Sequence, residues 1–352
     1  MTVIDELSRS RSAWLSGSGP LHNIVISSRI RLARNVVGYP FLAKADEGQK
    51  RQIYRTLYSS IMDTPLGEKM AFIDIEQASD LDRQVLVERH LISRQHAEGE
   101  GSRGVALGRQ ETVALMINEE DHLRIQVVAS GLQLDVLWRS IDDIDNILQD
   151  RVDFAFHEQY GYLTACPTNV GTGIRVSAMV HLPALKLTGE LDKVSRATRD
   201  MHLAVRGLHG EGTEATGDFY QISNQTTLGK SEPEILRQFT TILEKIVRYE
   251  EMARDALVRD RTLALDDKIW RAYGVLGNSR IISTEEALFL LSHLRMGVHM
   301  GRLPGVDLQT INDLFFESQP AHLQKLAGRQ LSGEARGIAR ADHIRKRLHH
   351  NN

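Results

Sequence analysis

A chain of 352 residues, 41% apolar and 25% charged, has the size and composition of a soluble globular enzyme with one large domain and a smaller one, or two domains. A formal net charge of −3 gives no global field to draw nucleic acid or an anionic membrane, and a single cysteine, Cys166, rules out an internal disulfide framework and favours a reducing compartment. The polar N-terminus has no apolar h-region and no window approaches about 18 uninterrupted apolar residues, so the expectation is a cytoplasmic protein without a membrane span.

Residues 1–22 are polar, end in Gly-Ser-Gly-Pro and read as a loosely held arm. Apolar residues alternate from Ile24 to Ile30, as in a half-buried strand. Residues 46–62 and 77–98 read as helices, and 98–104 as a polar, glycine-rich loop. Val113, Leu115 and Ile117 alternate, Asn118-Glu119-Glu120-Asp121 breaks the pattern, and Leu123, Ile125 and Val127 resume it. That spacing predicts a β-hairpin. Residues 133–151 and 190–202 look helical. Tyr162–Ala165 and Ile174–Val180 read as a strand pair around the turn 167–173, and two more strands follow within 202–212 and 218–224. Ser231-Glu232-Pro233-Glu234 has the form of a capping box and opens a long helix with Ile235, Leu236, Phe239, Ile242, Leu243, Ile246 and Val247 on its apolar face. Beyond about residue 258 strand patterns stop and helical ones continue, with starts at Thr284 and Ser332. The fold class expected is α+β, an antiparallel β-sheet flanked by helices followed by a helical C-terminal domain. The divisions are 1–22, 23–257 and 258–352.

Several segments carry chemistry. The three adjacent carboxylates of 119–121 fit a solvated acidic turn, or one carboxylate facing a cationic ligand or a metal. Arg29 and Arg31, at i and i+2 in a strand, project from one face, and two guanidinium groups side by side call for a shared anion or a carboxylate. Arg175 follows a glycine-rich turn. Arg206 opens the stretch Arg206-Gly207-Leu208-His209-Gly210-Glu211-Gly212, which could bring backbone close to phosphates but lacks the lysine and Ser/Thr of a P-loop. Cys166 lies beside a turn, where most lone cysteines are buried structural residues. No His/Cys cluster has zinc spacing, so no protein-ligated metal is expected.

Taken in order, Ser27-Ser28-Arg29-Ile30-Arg31, NEEDHLR at 118–124, CPTN-x-GTG-x-R at 166–175 and RG-x-x-GE-x-TEA at 206–215 closely resemble the phosphagen (guanidino) kinase family. Within it the chain looks most like the bacterial protein-arginine kinases, because the preceding helical domain of creatine and arginine kinases is largely missing and a different helical domain follows. The resemblance implies ATP contacts from Ser27, Ser28, Arg29, Ile30, Arg31, His90, Arg124, from Arg175, Val176, Ser177, Ala178 and Met179, and from Arg206, Gly207, Leu208, His209, Gly210 and Glu211. It implies that Glu120 and a glutamate of the 206–214 loop, Glu211 ahead of Glu214, grip the acceptor guanidinium, with Cys166 near it. ATP would arrive with Mg2+ held mainly by phosphates and water. The stretch Arg336-Gly337-Ile338-Ala339-Arg340-Ala341 resembles the RDxxRA motif of a phosphoarginine-binding pocket, with Gly337 in place of Asp. Further departures are Val176-Ser177-Ala178, where the family often has Ala-Ser-Val, and His209, where it often has Tyr. The family reading adds arginine-bearing protein substrates, an activating adaptor protein of the McsA type, a Clp ATPase, a heat-shock repressor and a homodimer. The alternatives are a kinase of free arginine, or a phosphoarginine-binding adaptor with weak catalysis.

Overall fold

The computed structural model describes residues 2–199, 203–207 and 216–349. Its elements run α1 (Val3–Leu7), β1 (Val25–Arg34), α2 (Glu47–Met62), β2 (Met70–Asp74), α3 (Asp80–Glu88), α4 (Arg94–Glu98), β3 (Gly104–Gly108), β4 (Val113–Ile117), β5 (Leu123–Ser130), α5 (Leu134–Gln149), β6 (Phe156–His157), β7 (Gly161–Tyr162), β8 (Ile174–His181), α6 (Pro183–Leu187), α7 (Leu191–Arg199), β9 (Leu203–Gly207) and β10 (Phe219–Asn224). Five helices complete it: α8 (Glu232–Asn278), α9 (Thr284–His299), α10 (Leu308–Glu317), α11 (Pro320–Ala327) and α12 (Gly333–His349). Eight strands form one antiparallel sheet in the order β2-β3-β4-β5-β1-β8-β10-β9, and β6 and β7 form a separate pair. This is the α+β arrangement that the sequence predicts, and the β4–β5 hairpin falls where the alternation places it.

Strand alternation gives the sheet two unlike faces. Ile30, Leu32, Ile125, Val127, Ile174, Val176, Ala178, Val180 and Ile222 lie on one, fully or almost fully buried. Helix α5 covers this face over β1 and β5, and α8 covers it over β8 and β10. The α5 residues Leu134, Leu137, Ile141, Ile144 and Leu148 recur at helical spacing and are buried, each contributing about 1.5–3 kcal/mol. On the opposite face the outer strands β3 and β4 are covered by α1 and α3, through Ile4, Leu7, Val85 and Leu86 against Val105, Leu107, Ala114 and Met116. The central strands on that face are left for the polar groups described below.

Three sequence expectations differ from the structure. The segment before Ile24 is not a loose arm: Trp14 and Leu15 are buried, and Gly19 is there for close approach. A Cβ at Gly19 would overlap the Ser130 carbonyl, and the Leu132 amide donates to the Pro20 carbonyl at 2.8 Å. The helix expected over 77–98 is two helices, broken where His90 takes a left-handed backbone (φ 58°). Tyr162–Ala165 does not pair with Ile174–Val180. Only Gly161–Tyr162 is a strand, paired with Phe156–His157, while β8 runs between β1 and β10. Beyond Tyr162 the Leu163 amide donates to the Ala155 carbonyl at 2.9 Å, while side chains take two other backbone groups: Ala165 N–H donates to Asp121 at 2.6 Å and the Leu163 carbonyl accepts from Asn35 at 3.0 Å. Helix α8 continues through residue 258 to Asn278 with a kink at Arg261 (φ −141°, ψ 32°).

Candidate active site

The register of the central strands collects arginines that sequence distance separates. Arg31 lies opposite Arg175 on one side and Gln126 on the other; Arg29 lies opposite Ser177; Ala33 lies opposite Arg124; Arg206 lies opposite Gln221, itself opposite Met179. By strand parity Arg29, Arg31, Arg124, Arg175 and Arg206 therefore share the polar face. Arg29 Nε donates to Ser177 Oγ at 3.3 Å and its Nη1 to Gln126 Oε1 at 3.5 Å, and Arg175 Nη2 donates to Ser223 Oγ at 3.1 Å. Arg31 Nε is buried with no hydrogen-bond partner among the described residues. Burial, and then the charges of Arg124 and Arg175, push the Arg29 guanidinium down to about 10. Burial, and then Arg29, Arg124 and Arg175, hold Arg31 well below its usual range. A set of cations that repel one another and leave a donor unused suits a polyanion with several phosphate oxygens.

The acidic turn joins this row through Arg124. Arg124 Nη1 meets Glu119 at 2.7 Å and Nη2 meets Glu120 at 3.0 Å. The three carboxylates then diverge. Glu119 is buried and accepts from Ser93 Oγ. Asp121, fully buried, accepts from Asn35 at 2.7 Å and from the Ala165 amide, and so holds the loop that carries Cys166. Glu120 alone keeps a third of its side chain exposed, so it is the carboxylate available to a ligand. Burial raises its pKa above the usual carboxylate range, against the opposing pull of Arg124. The Cys166 thiol is partly exposed and lies 3.1 Å from Thr168 Oγ1.

His90 borders the row from the other side. Its carbonyl accepts from Gln126 Nε2 at 3.0 Å, and its ring stands edge-on to Trp14 with centroids 5.8 Å apart. Trp14, His90 and Met179 line both a small hollow with Arg29 and Ser177 and a cavity of about 650 Å³ that opens toward Phe315 and Phe316.

Residues 52–253 match the family described as ATP:guanido phosphotransferase, C-terminal catalytic domain, and residues 262–352 match the protein-arginine kinase McsB C-terminal domain. A protein of Halothermothrix orenii named "Protein-arginine kinase" is 42% identical over 349 residues, covering 99% of each chain, and one of Symbiobacterium thermophilum with the same name is 46% identical over 345 residues, covering 97% and 98%. The chain belongs to the protein-arginine kinases of the ATP:guanido phosphotransferase family. The fold is shared with solved guanidino kinases. A lombricine kinase superposes with a TM-score of 0.59 at 23% identity, over 71% of this chain and 75% of that one. The substrate-free duplicated taurocyamine kinase of Schistosoma mansoni gives 0.60 at 22% identity, over 76% and 42%.

Among the site residues that this family resemblance implies, Ser27, Arg29, Arg31, Arg124, Arg175, Ser177, Met179 and Arg206 are together on the polar face. Ser28, Ile30, Val176 and Ala178 direct their side chains to the helix-covered face, where Ser28 Oγ accepts from the Gln133 amide, so only their backbone borders the site. Gly207 ends β9; Leu208, His209, Gly210, Glu211 and Glu214 lie outside the described residues. Far from the sheet, α12 carries Arg336–Ala341. Arg340 is buried and donates to the Ser318 and Ile282 carbonyls at 2.7 and 2.8 Å, and Arg336 donates to the Leu331 carbonyl at 2.9 Å. Gly337 and Ala341 are also buried and Ile338 is exposed, so the six residues do not line one surface. Sequence reasoning missed Trp14, Gln126 and Phe316, whose relevance comes from long-range contacts without a local pattern.

Proposed function

We propose that this protein transfers the γ-phosphoryl group of ATP to arginine side chains of other proteins. The observation that carries the reading is the row of arginines on one face of the sheet, tied through Arg124 to the exposed carboxylate of Glu120. Full-length likeness to relatives named protein-arginine kinase supports a protein as the acceptor.

Phosphoryl transfer asks a protein for alignment and for charge stabilisation. Arg29, Arg31, Arg124, Arg175 and Arg206 supply fixed donors to the oxygens of the triphosphate. His90, Trp14 and Met179 border the end where the base would lie. Magnesium would arrive with ATP, held mainly by phosphates and water, and would offset the negative charge of the phosphates. The acceptor guanidinium, with a pKa above about 12, keeps its proton in the ground state. Glu120 aligns it by paired hydrogen bonds, with a glutamate of the 208–215 segment, Glu211 or Glu214, as its counterpart. A guanidinium nitrogen attacks the γ-phosphorus, the bond from phosphorus to the β,γ-bridging oxygen breaks, ADP leaves, and the proton passes to Glu120 as the N–P bond forms. The raised affinity of Glu120 for a proton suits that step. The same reading extends to magnesium-ATP as co-substrate, a cytoplasmic homodimer, control through the C-terminal Arg336–Ala341 segment, and marking of proteins for Clp-type degradation with an adaptor and a heat-shock repressor as partners.

The test offers labelled ATP and magnesium with either free arginine or an unfolded arginine-rich protein. Acid-labile label on the protein is the expected result. Label on free arginine alone would assign a small-molecule kinase, and ATP binding with no transfer to either would assign a binding protein. Glu120→Gln should lower transfer by about 100-fold; full activity in that variant refutes the mechanism.

A further inference from the structure

Helices α10 and α11 reach the nucleotide face through a chain of contacts that ends at His90. The N-terminus of α11 is closed by a carboxylate from α3: Glu88 accepts from the Ala321 and His322 amides at 2.8 and 3.0 Å and from His322 Nδ1 at 2.7 Å. With Nδ1 donating to a carboxylate, His322 Nε2 turns its lone pair toward Arg89 Nη1, 3.4 Å away. Arg89 is buried and donates to Glu111 at 2.8 Å, to Ser12 Oγ at 2.9 Å and to the Ser10 carbonyl at 3.1 Å. Two consecutive residues, Glu88 and Arg89, are thus fixed by the C-terminal helices, the N-terminal segment and the sheet together.

The next residue is His90, in a left-handed backbone conformation (φ 58°) that is uncommon for residues other than glycine. Its ring is bounded by Trp14 on one side and by Phe316, 6.4 Å away, on another. Phe316 in turn stacks on His322 at 5.9 Å with an interplanar angle of 9°. From the His90 carbonyl the path continues through Gln126 to Arg29.

We propose that His322 and Phe316 are positioning residues for the nucleotide, holding His90 in place through Glu88, Arg89 and the ring stack. The helical C-terminal part then builds one wall of the nucleotide site without touching a reacting atom. The proposal rests on the reading of His90 as a nucleotide contact. When the His322 ring is lost, Glu88 keeps the two α11 amides but loses its third donor, Arg89 loses a partner and Phe316 loses its stack, so the hold on left-handed His90 loosens. The ring then leaves the hollow, and the cost falls on nucleotide affinity while the arginines still stabilise the transferring group.

The experiment is a cycle in the full chain, measuring KM for ATP and kcat for phosphorylation of an arginine-bearing protein, at a temperature where each variant is folded by circular dichroism. His90→Ala and His322→Ala should each raise KM for ATP by about tenfold with kcat changed less than about threefold, and the double variant should match His90→Ala because both act at one place. His322→Asn, whose amide nitrogen can replace Nδ1 as donor to Glu88, should recover most of the affinity. Phe316→Leu, which removes only the ring contacts, carries the same expectation should His322→Ala not fold. A KM that stays within twofold in His322→Ala and Phe316→Leu while His90→Ala raises it overturns the proposal, as do effects that multiply in the double variant. An unchanged KM in His90→Ala overturns the nucleotide role of His90 itself, and this proposal with it, but leaves protein-arginine transfer standing.

Discussion

Arg31→Met should make the ligand-free protein more stable and the enzyme much slower. Arg31 is two residues from Arg29 on one strand face, a spacing of about 6.6 Å, where two like charges repel by about 2.5 kcal/mol at an effective dielectric constant near 20. Arg175 lies directly opposite and Arg124 adds to the repulsion, while Glu119 offsets part of it. The charge is also desolvated, and its Nε has no partner among the described residues. Methionine keeps the stem and removes the charge, so a gain of about 1–2 kcal/mol is expected without nucleotide, or a melting temperature higher by about 1–3 °C. In the transition state the same guanidinium is worth about 3 kcal/mol, so transfer should fall by about 100–200-fold. The assay pairs thermal melting, with and without ATP, with initial rates of labelled phosphate transfer to an arginine-rich protein. ATP should raise the melting temperature of the parent protein more than that of the variant. A variant that melts lower than the parent without ATP, or keeps its rate within fivefold, would show that Arg31 is satisfied by the protein itself.

Two further outcomes follow from buried groups. Burial pushes His96 down to about 4 and His299 to about 3, so below pH 6.5 the unfolded chain takes up protons that the native state does not. Stability should therefore fall as pH drops from about 6.5 toward 4, by about 1.4 kcal/mol per pH unit for each histidine, and His96→Gln should flatten the slope by one such increment between pH 6.5 and 5; an unchanged slope in melting experiments refutes it. Arg34 donates to Asp145 at 2.7, 3.1 and 3.3 Å, with both side chains buried and the Tyr162 ring centroid 3.5 Å from the guanidinium carbon. Asp145→Ala should cost about 3–5 kcal/mol in urea unfolding, because it leaves a buried charge uncompensated. A loss below about 1 kcal/mol would mean that the Ala33 and Thr172 carbonyls suffice.

Much of the fold was legible because its elements obey one period each. The alternation of Val113 to Val127 and the helical spacing from Ile235 to Val247 have no competing reading, and both elements are where they were expected. Misreadings came where local signals are ambiguous. No glycine or proline marks the break at His90; it is imposed by Arg89 being drawn to Glu111 and by Glu88 being taken by α11. Tyr162–Ala165 has strand-forming residues, but the Leu163 carbonyl and the Ala165 amide are taken by the side chains of Asn35 and Asp121, far away in sequence. The site was half legible for the same reason. Parity alone puts Arg29 and Arg31 on one face, but adding Arg124, Arg175 and Arg206 requires the pairing register. Nothing local distinguishes Glu120 from its acidic neighbours: that depends on Ser93, Asn35 and Ala165 occupying the other two.

The N-terminal segment has its partners at the far end of the chain. Leu15 is held by Asn312, 297 residues later, and Asp5 by Lys325, 320 residues later, and Trp14 packs edge-on against Phe316 with centroids 5.3 Å apart. During synthesis at about 5–20 residues per second, these early side chains wait roughly 15–60 s before their partners leave the ribosome. The sheet can pair in that interval, but the wall beside His90 cannot be built until α10 and α11 emerge. A nascent or truncated chain therefore carries the row of sheet arginines before the wall beside His90 is finished.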